Sequence, residues 1–190
     1  MDQAVRKRMT LEEFLAWERR QELRYEFDGL APIAMTGGTV EHSVIGFNIV
    51  AASRQRLRGG PCRAFHADLK IIVAGRVRYP DAVITCSPVP VASDIVPEPV
   101  VVFEVLSAST ARTDREAKNA EYRATPSIRH YVILEQSAAA ATLFSRSGED
   151  WVETQVAGAD AVVGLPAIGI GLPLAEVYAE VGLSGAAAKG

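Results

Sequence analysis

A chain of 190 residues, 48% hydrophobic and 23% charged, is long enough for one self-sufficient core and too apolar to be disordered. Two cysteines, Cys62 and Cys86, exclude a disulfide framework or a cysteine-rich zinc site and point to the reducing cytoplasm. A net charge of −3, a start (MDQAVRKRMT) without an apolar stretch, and no run of about 18 apolar residues weigh against a non-specific nucleic-acid coat, a signal peptide and a membrane span.

Thr10 to Glu13 (TLEE) is a capping box, and Leu11, Phe14, Leu15 and Trp17 give the helix it opens an apolar side that ends in ERRQ. Leu23–Phe27 and Ala31–Met35 flank Asp28-Gly29 as a hairpin. A longer helix is expected from about Glu41 to Arg58, with Val44, Ile45, Phe47, Ile49 and Val50 apolar and Gly59-Gly60 as its stop. Three strands follow: Ala67–Val73, Arg78–Thr85 with Pro80 near its start, and Val100–Leu106. A second capping box, Thr113–Glu116 (TDRE), opens a helix that Pro126 ends, and His130–Leu134 is a further buried strand, so a parallel crossover is expected. Ala141–Arg146 and Trp151–Val156 flank SGED as a hairpin. Leu174, Val177, Tyr178 and Val181 mark a C-terminal amphipathic helix before a frayed tail at about 184–190. The reading is one α/β domain over 1–190, its core at about 40–136, with a mixed central sheet flanked by helices, an N-terminal hairpin, and a C-terminal hairpin plus helix.

Glu104 is the most informative residue, because it interrupts VVVFEVL, a strand that otherwise looks buried on both faces. A carboxylate there must be paired, protonated or metal-bound. Asp81 sits in the apolar context YPDAVI on the preceding strand, and neighbouring strands would set the two acids side by side. Two oxygen donors without cysteine suit a hard cation such as Mg²⁺, with Mn²⁺ as a substitute. The plainer readings are a buried ion pair for Glu104 and a strand-entry cap for Asp81. Lys118 is one of only four lysines (with Lys7, Lys70 and Lys189) and stands four residues before Tyr122, on the same side of the helix after Glu104. From spacing alone the preferred reading is a solvated helix lysine. Ser107, Ser109 and Thr110 have no histidine at a telling spacing, and G-x-S-x-G, P-loop and G-x-G-x-x-G motifs are absent, so serine hydrolysis and nucleotide binding are set aside.

RYPDAVIT, then VVFEVLSAST with Glu104 following Asp81 by 23 residues, then DREAKNAEYRATPSIRHYVILE, resembles the Uma-type family of putative restriction endonucleases in the PD-(D/E)xK nuclease superfamily. MTLEEFLAW, RYEFDGLAPIAM and VGLPAIGIGLPLAEVYA extend the resemblance over about residues 9 to 182. It implies a restriction-endonuclease-like fold with a four-stranded mixed core, and an Mg²⁺-dependent endonuclease acting on DNA phosphodiesters. It also implies Asp81 and Glu104 as catalytic metal ligands. The superfamily lysine, two residues after the acid, is here Leu106, so the resemblance implies Lys118 as its replacement. Secondary candidates are Asp68 as a third carboxylate, Glu41 or Glu26 near a metal water, and His42 and Tyr122 beside the site. Trp17, Trp151 and the late hairpin suggest surplus apolar surface, and a C₂ homodimer is expected. The competing reading is a catalytically weak or inert nuclease-fold dimer acting as a binding module. A hydrolase for a small phosphate ester is the third.

Overall fold

In the computed structural model, residues 8–35, 37–107 and 114–183 are described. Helix α1 (Leu11–Glu18) starts at the expected box: Thr10 Oγ1 accepts the Glu13 N–H at 3.2 Å, and the Glu13 carboxylate accepts the Thr10 N–H at 2.8 Å. It buries Phe14 against Phe27, ring centroids 4.9 Å apart. Strands β1 (Tyr25–Phe27) and β2 (Pro32–Ala34) form the expected hairpin. Asp28 Oδ1 accepts the Leu30 and Ala31 N–H groups, and Gly29 takes φ +92°, which a side chain would resist.

Helix α2 (Val40–Arg56) begins at Thr39, whose hydroxyl accepts the His42 N–H. Its inner face is Ile45, Gly46, Ile49, Ala52 and Ser53; Phe47, read as apolar packing, is 66% exposed. Then come β3 (Arg63–His66), β4 (Ile71–Val73), β5 (Arg76–Arg78), β6 (Ala82–Thr85) and β7 (Pro99–Val105). Here the expectations need correction. Residues 67–69 turn rather than extend, so only the end of Ala67–Val73 is strand. Arg78–Thr85 is two strands in two sheets, because Tyr79-Pro80-Asp81 breaks the ladder where proline has no N–H to give.

The segment Thr113–Glu116 begins outside the described residues, as do Ser109, Thr110 and the 184–190 tail. A π-helical turn, Asp114–Lys118, leads directly into α3 (Asn119–Ala124), which ends before Pro126. Strands β8 (His130–Leu134), β9 (Ala140–Ser147) and β10 (Asp150–Ala157) follow as expected. The C-terminal helix is a single turn, α4 (Leu174–Val177), preceded by a ribbon of β11 (Val162–Leu165) and β12 (Ile170–Pro173). Leu174, Val177 and Tyr178 are buried as the periodicity required, but Gly182 follows within a turn of Tyr178 and no long helix forms.

The fold is α/β with a mixed central sheet. That sheet has six strands, not four, ordered β10-β9-β8-β7-β6-β3, and only β7 and β8 are parallel. α3 supplies that crossover. A second sheet, β2-β1-β5-β4, carries the N-terminal hairpin. The period of two sends Val101, Phe103 and Val105 to a core under α2, and Val102 and Leu106 to a second core with Val83, Tyr122, Tyr131 and Phe144 under α3. A buried network fastens α1 onto this body: Lys70 Nζ lies 2.5 Å from Glu18 and 2.9 Å from Asp94, and the Tyr79 hydroxyl donates to Glu18.

Cys62 and Cys86 are joined as a disulfide across the β3–β6 edge. A single bridge is not a framework, but the cysteines are paired, so their number gives no support to a reducing compartment. Among the described residues, no helix is long and apolar enough to cross a membrane.

Candidate active site

The break at Tyr79-Pro80 delivers Asp81 to the entry of β6. The antiparallel register pairs Ala82 with Phe103, so the next residues outward, Asp81 and Glu104, stand opposite one another. Both share the sheet face of Val83 and Val102, and both line one cavity of about 560 Å³. Carboxylates on opposite faces would have ended the two-acid reading; the register puts them on the same one.

Asp81 Oδ2 accepts the Val105 N–H at 2.7 Å, tying the end of β7 to the start of β6. His42 Nε2, from the first turn of α2, lies 3.3 Å from the same oxygen. A Cβ on Gly38 would meet the His42 ring at 2.9 Å, so a glycine lets the chain lie over the imidazole. Glu104 is 3% exposed. Its Oε1 accepts from Lys118 Nζ at 3.0 Å and from the Tyr122 hydroxyl at 2.7 Å. Burial, followed by the Glu104 charge, raises the Tyr122 phenol well above its ordinary value and keeps it a donor.

Lys118 closes the π-helical turn, a geometry that shifts a side chain out of the regular helical register. Its amine sits between two carboxylates, since Glu26 Oε1 is 3.3 Å away. Glu26 Oε1 also accepts the Tyr79 N–H, and Oε2 accepts from Arg78 Nη1 at 3.0 Å. Arg78 forks onto Glu121 through Nε and Nη2, both at 2.7 Å, and Arg76 Nε is 3.1 Å from Glu121. Burial works against charge on Arg78, but Glu121 and Glu26 more than offset it and raise its pKa. A wall of alternating charge results.

The expected residues therefore divide. Asp81, Glu104, Lys118, Glu26 and His42 line the cavity, and Tyr122 supports it from behind. Asp68 does not join: it lies on the exposed turn after β3, paired with Arg24 at 2.7 Å. Glu41 is in the first turn of α2 and is not part of the cavity wall. Arg76, Arg78 and Glu121 were not anticipated. The signal was present in VRYP, where an arginine between apolar neighbours demands a carboxylate by the argument that marked Glu104.

Among the described residues, no group of three or more His, Cys, Asp and Glu is set to hold a metal. Asp81 and Glu104, on adjacent strands, are the two oxygen donors on the cavity wall that could hold a cation.

The same mixed α/β architecture is found in a solved structure. It matches the crystal structure of a putative nuclease belonging to DUF820 from Anabaena variabilis, with a TM-score of 0.73 at 18% identity, over 90% of this chain and 97% of that one. The chain belongs to the Uma2 family, described as "Putative restriction endonuclease", whose model matches residues 11–175. Relatives in Synechocystis sp. include the protein slr1290, 32% identical over 176 residues (90% of this chain, 92% of the relative). The protein sll1609 is 25% identical over 167 residues (84% and 94%).

Proposed function

We propose that the protein is an Mg²⁺-dependent endonuclease that hydrolyses phosphodiester bonds in DNA, acting in the cytoplasm as a homodimer. The observation that carries this reading is the pairing of Asp81 with Glu104 across β6 and β7 on one cavity wall, with the Lys118 amine 3.0 Å from Glu104. Asp81 and Glu104 would hold the cation. When bound, it would polarise the scissile phosphate and promote attack by water.

The chain's own groups supply the rest. Lys118, itself buried, would bring positive charge to where the pentavalent phosphate gathers negative charge. The Val105 N–H and His42 hold the Asp81 carboxylate, and the Tyr122 hydroxyl holds Glu104, so both acids are preorganised. Glu26, anchored by Arg78, sets the far side of Lys118.

One observation favours the second reading, an inert nuclease-fold binding module: Glu104 Oε1 is already satisfied by Lys118 and Tyr122. A plasmid-nicking assay separates the two. The nuclease reading expects cutting with Mg²⁺ or Mn²⁺, none with EDTA, and a loss of at least about 10²-fold in Asp81→Asn and Glu104→Gln. Cutting that survives both substitutions would refute it. No cutting, with no rise in melting temperature on adding Mn²⁺, would favour the inert module.

A further inference from the structure

Away from the cavity, two arginines lie over one indole and a third stands beside them just before the neighbouring strand. Arg146 on β9 lies over the Trp151 ring at 4.6 Å, and Arg123 at the end of α3 lies over it at 5.8 Å. Arg129, just before β8, donates its backbone N–H to Val100 and accepts that of Arg146. The guanidinium of Arg146 is fixed by three backbone carbonyls, those of Arg123, Thr125 and Ile128. Burial, then the charges of Arg129 and Arg123, press it below its usual pKa.

Capping the C-terminal end of α3 explains Arg146, and the helix dipole favours Arg123. Neither explains why a third cation stands beside them. Arg123 and Arg129 are exposed, and among the described residues neither has a carboxylate at ion-pair distance. Unrelieved like charge is unfavourable in the isolated protein and becomes favourable against an anion.

The placement relates this cluster to the cavity. Phe144 and Tyr131 share the sheet face of Trp151 with Val102 and Tyr122, so the arginine cluster and the Asp81–Glu104 pair belong to the same face of the six-stranded sheet. The register levels Trp151 with Arg146 and thence with Val100, four residues before Glu104. Four residues along the strand and three strands across put the ring about 20 Å from Glu104. That is roughly six base pairs along a duplex.

We propose that Arg123 and Arg146 over Trp151, with Arg129 opposite Arg146 in the sheet, form a second anion site, which binds backbone phosphates of duplex DNA while another phosphate occupies the Asp81–Glu104 cavity. This rests on the nuclease reading for the identity of the polyanion, not for the existence of the site. Such contacts position a duplex without reading its sequence.

The test is fluorescence anisotropy of the full chain with a labelled 20-base-pair duplex in EDTA, from 50 to 200 mM salt. EDTA separates binding from cleavage. Arg123→Ala/Arg129→Ala, which leaves the carbonyl-capping Arg146 intact, is expected to bind about tenfold or more weakly, with a salt slope lower by about 2. Arg54→Ala/Arg58→Ala removes the same charge from exposed positions on and just after α2, on the opposite sheet face, and is expected to change affinity less than twofold. Equal losses in both pairs, an unchanged slope, or a parent that binds no duplex would overturn the site. If the parent binds through these arginines but never cuts with Mn²⁺, the nuclease reading falls and the site stands. If it cuts while the arginine pair binds as the parent does, only the site falls.

Discussion

Lys118 is where stability and chemistry can be separated. Its amine lies between Glu104 at 3.0 Å and Glu26 at 3.3 Å, and it is 5% exposed. Lys118→Ala leaves two carboxylates facing each other with no cation between them. Breaking a buried pair by removing one partner costs about 3–5 kcal/mol. For a chain of this size each kcal/mol moves the melting temperature by about 2–4 °C, so a fall of roughly 10 °C is expected. Adding Glu26→Gln removes one of the opposed charges and should return part of that fall, since Arg78, which loses Glu26, keeps its fork onto Glu121. Cleavage should behave differently. Loss of an electrostatic stabiliser costs about 10²–10³ in rate, and Glu26→Gln restores no positive charge to the cavity. Differential scanning calorimetry and plasmid nicking, run on the parent, the single variant and the double variant, read the two effects apart. Recovery of cleavage together with stability in the double variant would refute a direct role for Lys118. An unshifted melting temperature in the single variant would refute the buried network as a source of stability.

Other outcomes follow from the same geometry. His130 is buried, Nδ1 lies 3.0 Å from Ser145 Oγ and Nε2 accepts the Ala167 N–H at 3.3 Å, so the ring is neutral with the proton on Nδ1. Burial, then Arg129, lowers its pKa from 6.5 to about 4. The unfolded chain therefore binds a proton that the folded one refuses: this stability is complete above pH 6.5 and is lost as pH falls toward 4, by about 3 kcal/mol. Urea denaturation at pH 4.5 and 7.5 should show His130→Asn with a smaller pH difference than the parent, and an equal difference would contradict the assignment. The Cys62–Cys86 bridge closes a loop with a sequence separation of 24, so reduction should cost about 3 kcal/mol in urea denaturation. Indifference to reductant would show that the bridge constrains nothing. Light scattering is expected to return twice the 20.4 kDa chain mass, and a 20.4 kDa particle at micromolar concentration would exclude the dimer. The tryptophans that prompted that expectation are engaged within the chain, Trp17 against Phe14 and Tyr25 and Trp151 under its arginines, while Val40 and Phe47 on α2 remain exposed.

What the sequence could reveal depended on whether a residue's partners lay near it in the chain. The capping box at Thr10, the hairpin at Asp28-Gly29 and the β8 strand are local patterns, and each formed where expected. Glu104 was legible because burying a charge is costly wherever it happens, and the strand pattern around it is strong. Arg78–Thr85 is ambiguous in sequence because proline at the third position of an apolar run marks either a strand entry or a break between strands, and only the sheet partners decide. The ribbon of β11 and β12 was hidden in VVGLPAIGIGLP, where glycine and proline obscure the alternation and the Leu174–Val181 periodicity drew attention instead. Glu26 and Glu121 reach the cavity only through tertiary partners, Lys118, Arg78 and Arg76, up to 92 residues from Glu26 in sequence. Asp68 illustrates the converse: an acid at an expected strand start faces solvent once the strand begins three residues later.

The central claim is that Asp81 and Glu104 together hold a divalent cation. Anomalous diffraction from crystals soaked in Mn²⁺ tests it most directly. A peak is expected in the cavity beside Asp81 and Glu104, absent in Asp81→Asn crystals soaked in the same way. No peak there, or one that persists in Asp81→Asn, would contradict it.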